Sequence, residues 1–107
     1  MARSDAEVAE IAAKAVAEAR RHIPVTDAVI FGSYVDGTPH EWSDIDLAIF
    51  TPAADAWTRQ ARHAVNRAIR KAVDLAVEVH FFGMKAKENA RPSNFAGYVL
   101  THGKRIA

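Results

Sequence analysis

The spacing of apolar residues changes along the chain between the three-to-four-residue period of a helix and the two-residue period of a strand. The first segment has helical spacing, and Ser4 followed by Glu7 forms a capping box, so we predict a helix over about residues 4–22. Three later apolar runs have the length and composition of strands, near residues 28–31, 44–50 and 75–82.

A second helical stripe follows the middle strand and runs to about Val73, with Thr51 as its cap and Pro52 as its first residue. Its opposite face carries basic side chains, which form either a solvated surface or a contact for phosphates: Arg59, Arg62, Arg67, Arg70 and Lys71. A short helix capped by Ser93 and an edge strand at 104–107 complete the pattern. These elements predict an α+β fold, a small mixed β-sheet with helices packed mainly on one face.

Composition limits the functions that this fold serves. The chain has 107 residues, which suits a single domain over residues 1–107. Its net charge of +1 gives no reason to expect direct nucleic-acid binding. Cysteine is absent, which excludes disulfides and thiolate zinc sites, and no apolar stretch has the length of a signal peptide or membrane span. We therefore expect a cytoplasmic protein with no membrane partner.

Several common catalytic motifs are missing from the sequence. The segment beginning at Gly32 has the glycine spacing of a phosphate-binding P-loop, but Thr38 and Pro39 stand where that motif needs lysine and serine or threonine. The histidines show no HExxH spacing and the serines no GxSxG motif, which disfavours a zinc protease and a serine hydrolase. The aspartates of the middle strand are more informative.

Asp44 and Asp46 flank Ile45 in the predicted middle strand. Side chains two residues apart on a strand project from the same face, about 7 Å apart at the backbone, so both carboxylates are able to converge on one or two cations. Two like charges this close repel each other, and a bound cation relieves that repulsion. Carboxylate oxygens favour Mg²⁺ or Mn²⁺, ions that accompany nucleotide phosphates. An exposed strand edge that begins with an Asx-type turn at Ser43 is the alternative explanation.

The residues around this acid pair carry a more specific pattern. The spacing GS-x3-G-x5-SDIDL is formed by Gly32, Ser33, Gly37, Ser43, Asp44, Asp46 and Leu47. It resembles the signature of the minimal nucleotidyltransferases, small members of the DNA polymerase β-like superfamily, and is similar to the antitoxin of HEPN/MNT toxin–antitoxin pairs. The resemblance covers about residues 25–106, and the first helix lies outside it.

This resemblance implies a metal-dependent transfer of AMP from ATP to a hydroxyl acceptor. It implies that Gly32 and Ser33 bind the nucleotide phosphates and that Asp44 and Asp46 hold Mg²⁺ or Mn²⁺. It also implies a third carboxylate on a neighbouring strand, which joins the metal site and deprotonates the acceptor. We assign that role to Glu78, whose neighbours in the strand face the core, and Asp74 is the rival.

Four further residues near the signature bear on the site. His80 shares the predicted face of Glu78, and either contacts nucleotide, hydrogen-bonds Glu78 or is structural. Tyr34 and Trp42 either stack on a base or pack against the protein, and we expect packing for both. Asp36 stands where many relatives carry a basic residue, which places a negative charge near the expected phosphate path.

Two functions from different classes follow. The first is the transferase, acting on a tyrosine of a partner HEPN toxin, because 107 residues leave little room for an acceptor-binding domain. The second is a non-catalytic module of the same fold that neutralises or scaffolds a partner protein, for which the alanine-rich first helix offers a surface. Transfer to an antibiotic or an RNA end has less support. Self-association is left open.

Overall fold

The computed structural model describes residues 2–39 and 43–107, so Trp42 lies outside the described residues. The elements are, in chain order, α1 (Asp5–Arg20), β1 (Asp27–Phe31), α2 (Ser33–Asp36), β2 (Ile45–Phe50), a 3₁₀ helix (Pro52–Ala56), α3 (Arg59–Ala72), β3 (Val77–Phe82), α4 (Met84–Glu88), α5 (Phe95–His102) and β4 (Lys104–Arg105). The capping box of Ser4 and Glu7 forms as predicted at the start of α1. None of the helices in the described ranges has the length and apolar character needed to cross a bilayer.

The four strands form one mixed sheet in the order β3-β2-β1-β4. Strand β1 pairs antiparallel with β2 on one side and with β4 on the other. Strands β2 and β3 are parallel, and α3 provides the crossover that a parallel pair requires. Because β1 and β2 run in opposite directions, the last residues of β1 lie beside the first residues of β2, at one end of the strands.

Helices cover the two faces of this sheet unequally. The two long helices, α1 and α3, pack on one face over a core that includes Ile45, Leu47 and Ile49 of β2. The shorter α5 packs on part of the other face, against Ala48 and Phe50 among others. The predicted α+β class, with helices mainly on one face, is therefore confirmed. The side chain of Asp46 belongs to the less covered face, because it has the same strand parity as Ala48.

The segment after β2 differs from the single helix that its apolar stripe predicted. Thr51 caps the 3₁₀ helix, and the chain then becomes extended at Trp57. Helix α3 begins immediately after Thr58, whose hydroxyl accepts a hydrogen bond from the Ala61 N–H at 3.1 Å. Trp57 packs edge-on against Phe81, with ring centroids 5.2 Å apart. Two threonine caps therefore divide the predicted helix into two pieces.

The segment between β3 and α5 also differs, because it contains α4 where the sequence indicated only a polar connection. Asp55 accepts hydrogen bonds from the N–H groups of Met84 at 2.8 Å and Lys85 at 3.2 Å. These two bonds hold the pKa of Asp55 below its usual value. The cap of α4 thus comes from a distant part of the chain. Helix α5 is capped by the side chain of Asn94, the residue after the predicted Ser93.

Strand β3 lies at the edge of the sheet, and side chains of α3 bond to its main chain. The side-chain oxygen of Asn66 accepts a hydrogen bond from the Val79 N–H at 2.8 Å. Arg62 donates to the carbonyl of Phe81, and Arg70 donates to a carbonyl just before β3 at 2.6 Å. Asn66 lies four residues from each arginine, so all three share one helix face. Part of the predicted basic row therefore protects the sheet edge.

One buried acid, Asp27, connects β1 to two later elements. Asp27 is 5% exposed, and its carboxylate pairs with Lys87 of α4 at 2.7 Å and with Arg105 of β4. The hydroxyl of Thr26 also donates to it at 2.8 Å. Burial acts to raise the pKa of Asp27, but these donors outweigh it and lower the pKa to about 2. This ion cluster lies at the opposite end of β1 from the glycine turn.

Candidate active site

Three neighbouring strands bring the predicted site residues together at one end of the strands. Phe31 of β1 is opposite Asp46 of β2, and Asp46 is opposite Glu78 of β3. Adjacent strands lie about 4.8 Å apart, so Asp46 and Glu78 are direct lateral neighbours. Gly32 follows Phe31 immediately, which places the glycine turn beside Asp46.

The turn at Gly32 combines a backbone conformation and a close approach that both require glycine. Gly32 has φ of 82° and ψ of −153°, a combination that residues with a side chain rarely adopt. A Cβ atom there would overlap Oδ2 of Asp46 and lie 3.3 Å from its Cγ. The carbonyl of Gly32 accepts hydrogen bonds from Val35 at 3.0 Å and Asp36 at 2.9 Å, which close α2. The missing side chain therefore lets the Asp46 carboxylate lie against the turn.

Asp44 and Asp46 flank Ile45 at the start of β2. Ile45 is fully buried, Asp44 is exposed and Asp46 is partly exposed. The carboxylate of Asp46 also has a protein partner, because Nε2 of His80 lies 3.3 Å from its Oδ1. A hydrogen bond to Glu78 was one of the three sequence interpretations of His80, whereas in the structure its ring lies beside Asp46. The acid pair thus has one member open to solvent and one in contact with histidine.

The carboxylate of Glu78 faces helix α3. Nδ2 of Asn66 donates to its Oε1 at 3.3 Å, and Nη1 of Arg70 lies 3.5 Å from its Oε2. Within residues 2–39 and 43–107, no three acidic or histidine side chains are grouped closely enough to hold one metal ion. The oxygen donors of Asp44 and Asp46 fit a divalent cation in chemical type. The carboxylate of Glu78 is bonded on the side of α3, by Asn66 and Arg70.

Asp74, the rival for the third carboxylate, lies in the turn before β3. Its Oδ1 accepts a hydrogen bond from the Ala76 N–H at 2.8 Å, and Nη2 of Arg3 lies 3.3 Å from the same oxygen. Asp74 therefore forms an Asx-type turn and an ion pair. It precedes the paired part of β3, in which Glu78 is the register partner of Asp46.

Tyr34 and Asp36 are residues near the glycine turn whose roles the sequence alone left open, as it did for Trp42, which lies outside the described residues. Tyr34 packs against the core beneath α1 and α3, and its hydroxyl accepts a hydrogen bond from the Arg3 N–H at 3.2 Å. This position agrees with the predicted packing role. Asp36 is exposed at the end of α2, immediately before Gly37.

A cleft of about 330 Å³ opens beside Glu78 at the free edge of β3. One wall is formed by α3, through Arg59 and His63, and another by Phe95 of α5. Phe95 is 49% exposed, and its ring contacts three others, those of Phe31, His80 and Phe82. The sequence did not indicate this aromatic cluster, because it depends on how α5 packs on the sheet.

The sequence also did not single out Asn66, although it contacts Glu78. A polar residue beside Val65 and Ile69, on the inward stripe of α3, was the available signal. Asn66 is 7% exposed, and a buried amide normally has hydrogen-bond partners. Its second partner is the main chain of β3, as described above.

Fold and site together define a class of protein, a mixed sheet in which a glycine turn lies against a strand-borne Asp-x-Asp pair. A family model described as the nucleotidyltransferase domain matches residues 12–98. The chain belongs to this family, as the signature around Gly32 and the acid pair indicated. No curated protein matches the sequence significantly.

Solved structures share this fold. A chain of a toxin–antitoxin crystal structure with AMP-PNP is 29% identical, with a TM-score of 0.59 over 87% of this chain and 69% of that chain. A chain from the complex of tri-AMPylated Shewanella oneidensis HEPN toxin with MNT antitoxin is 24% identical, with a TM-score of 0.56 over 92% and 70%. A structure described as a nucleotidyltransferase from Sulfolobus solfataricus is 19% identical, with a TM-score of 0.62 over 77% and 72%. The last two likenesses show the fold alone. The similarity to a toxin–antitoxin protein that the sequence indicated is confirmed by the first of these structures.

Proposed function

We propose that this chain is a metal-dependent nucleotidyltransferase that moves AMP from ATP to a hydroxyl acceptor. The observation that carries the proposal is the contact between the glycine turn and the acid pair, where Gly32 leaves room for the carboxylate of Asp46. This contact puts the turn that carries the Ser33 hydroxyl next to a carboxylate suited to a cation. Membership of the nucleotidyltransferase family supports the same class of reaction.

Gly32 and Ser33 bind the triphosphate in this proposal. The missing side chain of Gly32 leaves room for the Asp46 carboxylate beside the turn, and the Ser33 hydroxyl is a donor for a phosphate oxygen. Asp36 lies exposed at the other end of α2, where solvent and salt screen its negative charge. Asp36 therefore weakens phosphate binding less than its place in the sequence alone suggests.

Asp44 and Asp46 hold the metal ion, and Glu78 is the third carboxylate of the site. Carboxylate oxygens are the ligands that Mg²⁺ and Mn²⁺ prefer. Such an ion, when bound, neutralises charge on the phosphates and on the departing pyrophosphate. The chain itself fixes the two aspartates on one strand face, because Ile45 between them is anchored in the core.

Glu78 takes the proton of the attacking hydroxyl. The acceptor oxygen forms a bond to the α-phosphorus, the bond from that phosphorus to the bridging oxygen breaks, and pyrophosphate leaves with the electron pair. The hydroxyl proton passes to the Glu78 carboxylate. Since β2 lies between β1 and β3, the triphosphate at Gly32 and the acceptor in the cleft beside Glu78 approach from opposite sides of Asp46.

We propose a tyrosine of a HEPN toxin as the acceptor, which makes the chain an antitoxin with ATP as its substrate. A complex of tri-AMPylated HEPN toxin with MNT antitoxin shares the fold, and a toxin–antitoxin chain that is 29% identical was crystallised with AMP-PNP. Both observations concern relatives, and they support the same acceptor class here. The cytoplasmic location remains a prediction.

Transfer is tested with ATP labelled at either the α- or the γ-phosphate, Mg²⁺ and a purified HEPN toxin. We expect only the α label to enter the toxin, on a tyrosine identified by mass spectrometry, and we expect Asp46→Asn to abolish the transfer. Asp5→Asn, an exposed acid in the first turn of α1, is the matched control and retains transfer. Entry of the γ label would show phosphorylation instead of adenylylation. No label in the toxin, from a folded chain that binds Mg²⁺–ATP, would reject the HEPN acceptor.

A second candidate is a non-catalytic module of the same fold that neutralises a toxin by binding it. The observation that favours this candidate is that Asp46 and Glu78 already have protein partners, His80 for the first and Asn66 with Arg70 for the second. In that case the chain would inhibit a HEPN toxin without ATP, and Asp46→Asn would inhibit it as well as wild type. Inhibition that depends on both ATP and Asp46 would reject the module.

A further inference from the structure

We propose that Asn66 is a positioning residue that fixes the direction of the Glu78 carboxylate, an inference that rests on the proposed transferase function. Asn66 lies in α3 at the centre of the helix face that covers the free edge of β3. Its side chain is almost fully buried, so both polar groups of the amide need partners. The structure gives each group one partner.

The two hydrogen bonds of Asn66 are linked through the geometry of its amide. Oδ1 accepts from the Val79 N–H at 2.8 Å, and Nδ2 donates to Oε1 of Glu78 at 3.3 Å. The bond to the strand sets the orientation of the amide plane, because the acceptor and the donors of an amide lie at fixed angles. Nδ2 of Asn66 then donates to the carboxylate of Glu78, the residue before Val79 in β3. Glu78 is therefore held by a group that the backbone itself orients.

The direction in which Glu78 is held has a chemical consequence. Strand register makes Glu78 the lateral neighbour of Asp46, yet its carboxylate is bonded on the side of α3, where it lines the cleft. Arg70 also contacts Glu78, but Arg70 is 36% exposed and 3.5 Å away, so solvent weakens this ion pair. Asn66 is the buried partner. It keeps the proton-accepting carboxylate at the wall of the cleft, where an acceptor hydroxyl arrives.

One substitution separates the two contacts of Asn66. Asn66→Asp has nearly the same size and keeps an oxygen for the Val79 N–H, but it replaces the donor with a carboxylate oxygen that repels Glu78. Arg62→Ala is the matched control, because Arg62 bonds to the main-chain carbonyl of Phe81 at the same edge and to that of Ala54 in the 3₁₀ helix at 2.9 Å. This control weakens the support of β3 and leaves the Asn66 to Glu78 contact in place.

Two readouts test the inference, and the first does not depend on activity. The side-chain amide signals of Asn66 in a ¹⁵N–¹H spectrum are expected to move in Glu78→Gln and to stay in place in Asp46→Asn. Unchanged Asn66 signals in Glu78→Gln would overturn the inference. In the transfer assay, Asn66→Asp is expected to lower kcat by about 10- to 100-fold, as loss of an outer-shell partner does, with the KM for ATP within about twofold of wild type.

The results also separate this inference from the proposed function. A wild-type chain without transfer would count against the proposed function, and the amide signals would still decide the Asn66 contact. Wild-type kcat in a folded Asn66→Asp variant would overturn the positioning role. So would an equal loss of kcat in Asn66→Asp and Arg62→Ala, because that loss would come from the strand edge or from the cleft wall, which Arg62 also lines.

Discussion

Two glycines of the candidate site form a matched pair for testing its geometry. Gly32 and Gly37 both have φ of 82°, with ψ of −153° at Gly32 and 17° at Gly37. A Cβ atom at Gly32 would overlap the Asp46 carboxylate, whereas one at Gly37 would meet no atom within 4 Å. Gly37→Ala therefore measures the cost of a left-handed backbone alone, whereas Gly32→Ala combines a backbone conformation nearly exclusive to glycine with the clash with Asp46.

The expected magnitudes follow from these conformations. A left-handed alanine costs about 1–2 kcal/mol, which is the loss of unfolding free energy expected for Gly37→Ala. The Gly32 conformation is nearly exclusive to glycine and costs about 1–3 kcal/mol. Displacing the Asp46 carboxylate from His80 adds about 1 kcal/mol. We therefore expect Gly32→Ala to lose about 2–4 kcal/mol, and each kcal/mol lowers Tm by roughly 4–8 °C in a domain of this size.

Urea unfolding followed by circular dichroism measures both losses, and calorimetry measures binding of Mg²⁺–ATP at a temperature where both variants are folded. We expect Gly37→Ala to bind as wild type does, and Gly32→Ala to bind about 10-fold more weakly or worse, which corresponds to about 1.4 kcal/mol. Equal stability of the two variants, with wild-type binding by Gly32→Ala, would refute the close approach between Gly32 and Asp46.

Three further comparisons test other parts of the structure. The pKa of Asp27 is lowered to about 2, so this acid stabilises the fold above about pH 4 and loses that effect as the pH falls through about 2. Asp27→Asn is expected to lower the unfolding free energy at pH 7 by about 1–2 kcal/mol and by less at pH 3, and a difference independent of pH would contradict the lowered pKa. Arg62→Ala is expected to cost about 1–3 kcal/mol in urea unfolding, because the carbonyls of Phe81 in β3 and Ala54 in the 3₁₀ helix lose their donor, against less than about 0.5 kcal/mol for the exposed Arg67→Ala. Equal losses would contradict the role of Arg62 at the edge. Glu78→Gln is expected to lower AMP transfer about 100-fold, whereas Asp74→Asn keeps an oxygen for its turn and retains transfer. The opposite order would assign the third carboxylate to Asp74.

Local patterns predicted those elements of the fold whose causes are local. The capping box at Ser4 and the two-residue alternation around Asp46 depend on neighbouring residues, and the structure contains the corresponding helix and strand. Helix α3 begins later than predicted, because Thr51 and Thr58 are both good caps and periodicity does not choose between them. Helix α4 could not be predicted, because its cap, Asp55, lies in a different part of the chain.

The candidate site divides in the same way. Gly32 and the acid pair lie within one short linear motif, so their residue types were enough to indicate them. The placement of Glu78 beside Asp46 depends on the register of β2 with β3. The alternation of apolar and polar residues shows which face of a strand each side chain occupies, but it does not set this register. The contacts of Glu78 with Asn66 and of Asp46 with His80 depend on tertiary packing, so the sequence did not predict these partners.

Calorimetric titration of ATP with and without Mg²⁺ tests most directly whether the turn at Gly32 and the acid pair form a nucleotide site. We expect the folded wild-type chain to bind ATP only when Mg²⁺ is present. Asp44→Asn and Asp46→Asn, each with an unfolding curve close to that of wild type, are expected to weaken binding about 10-fold or more. Failure of the folded wild-type chain to bind ATP at any Mg²⁺ concentration would contradict an autonomous nucleotidyltransferase site.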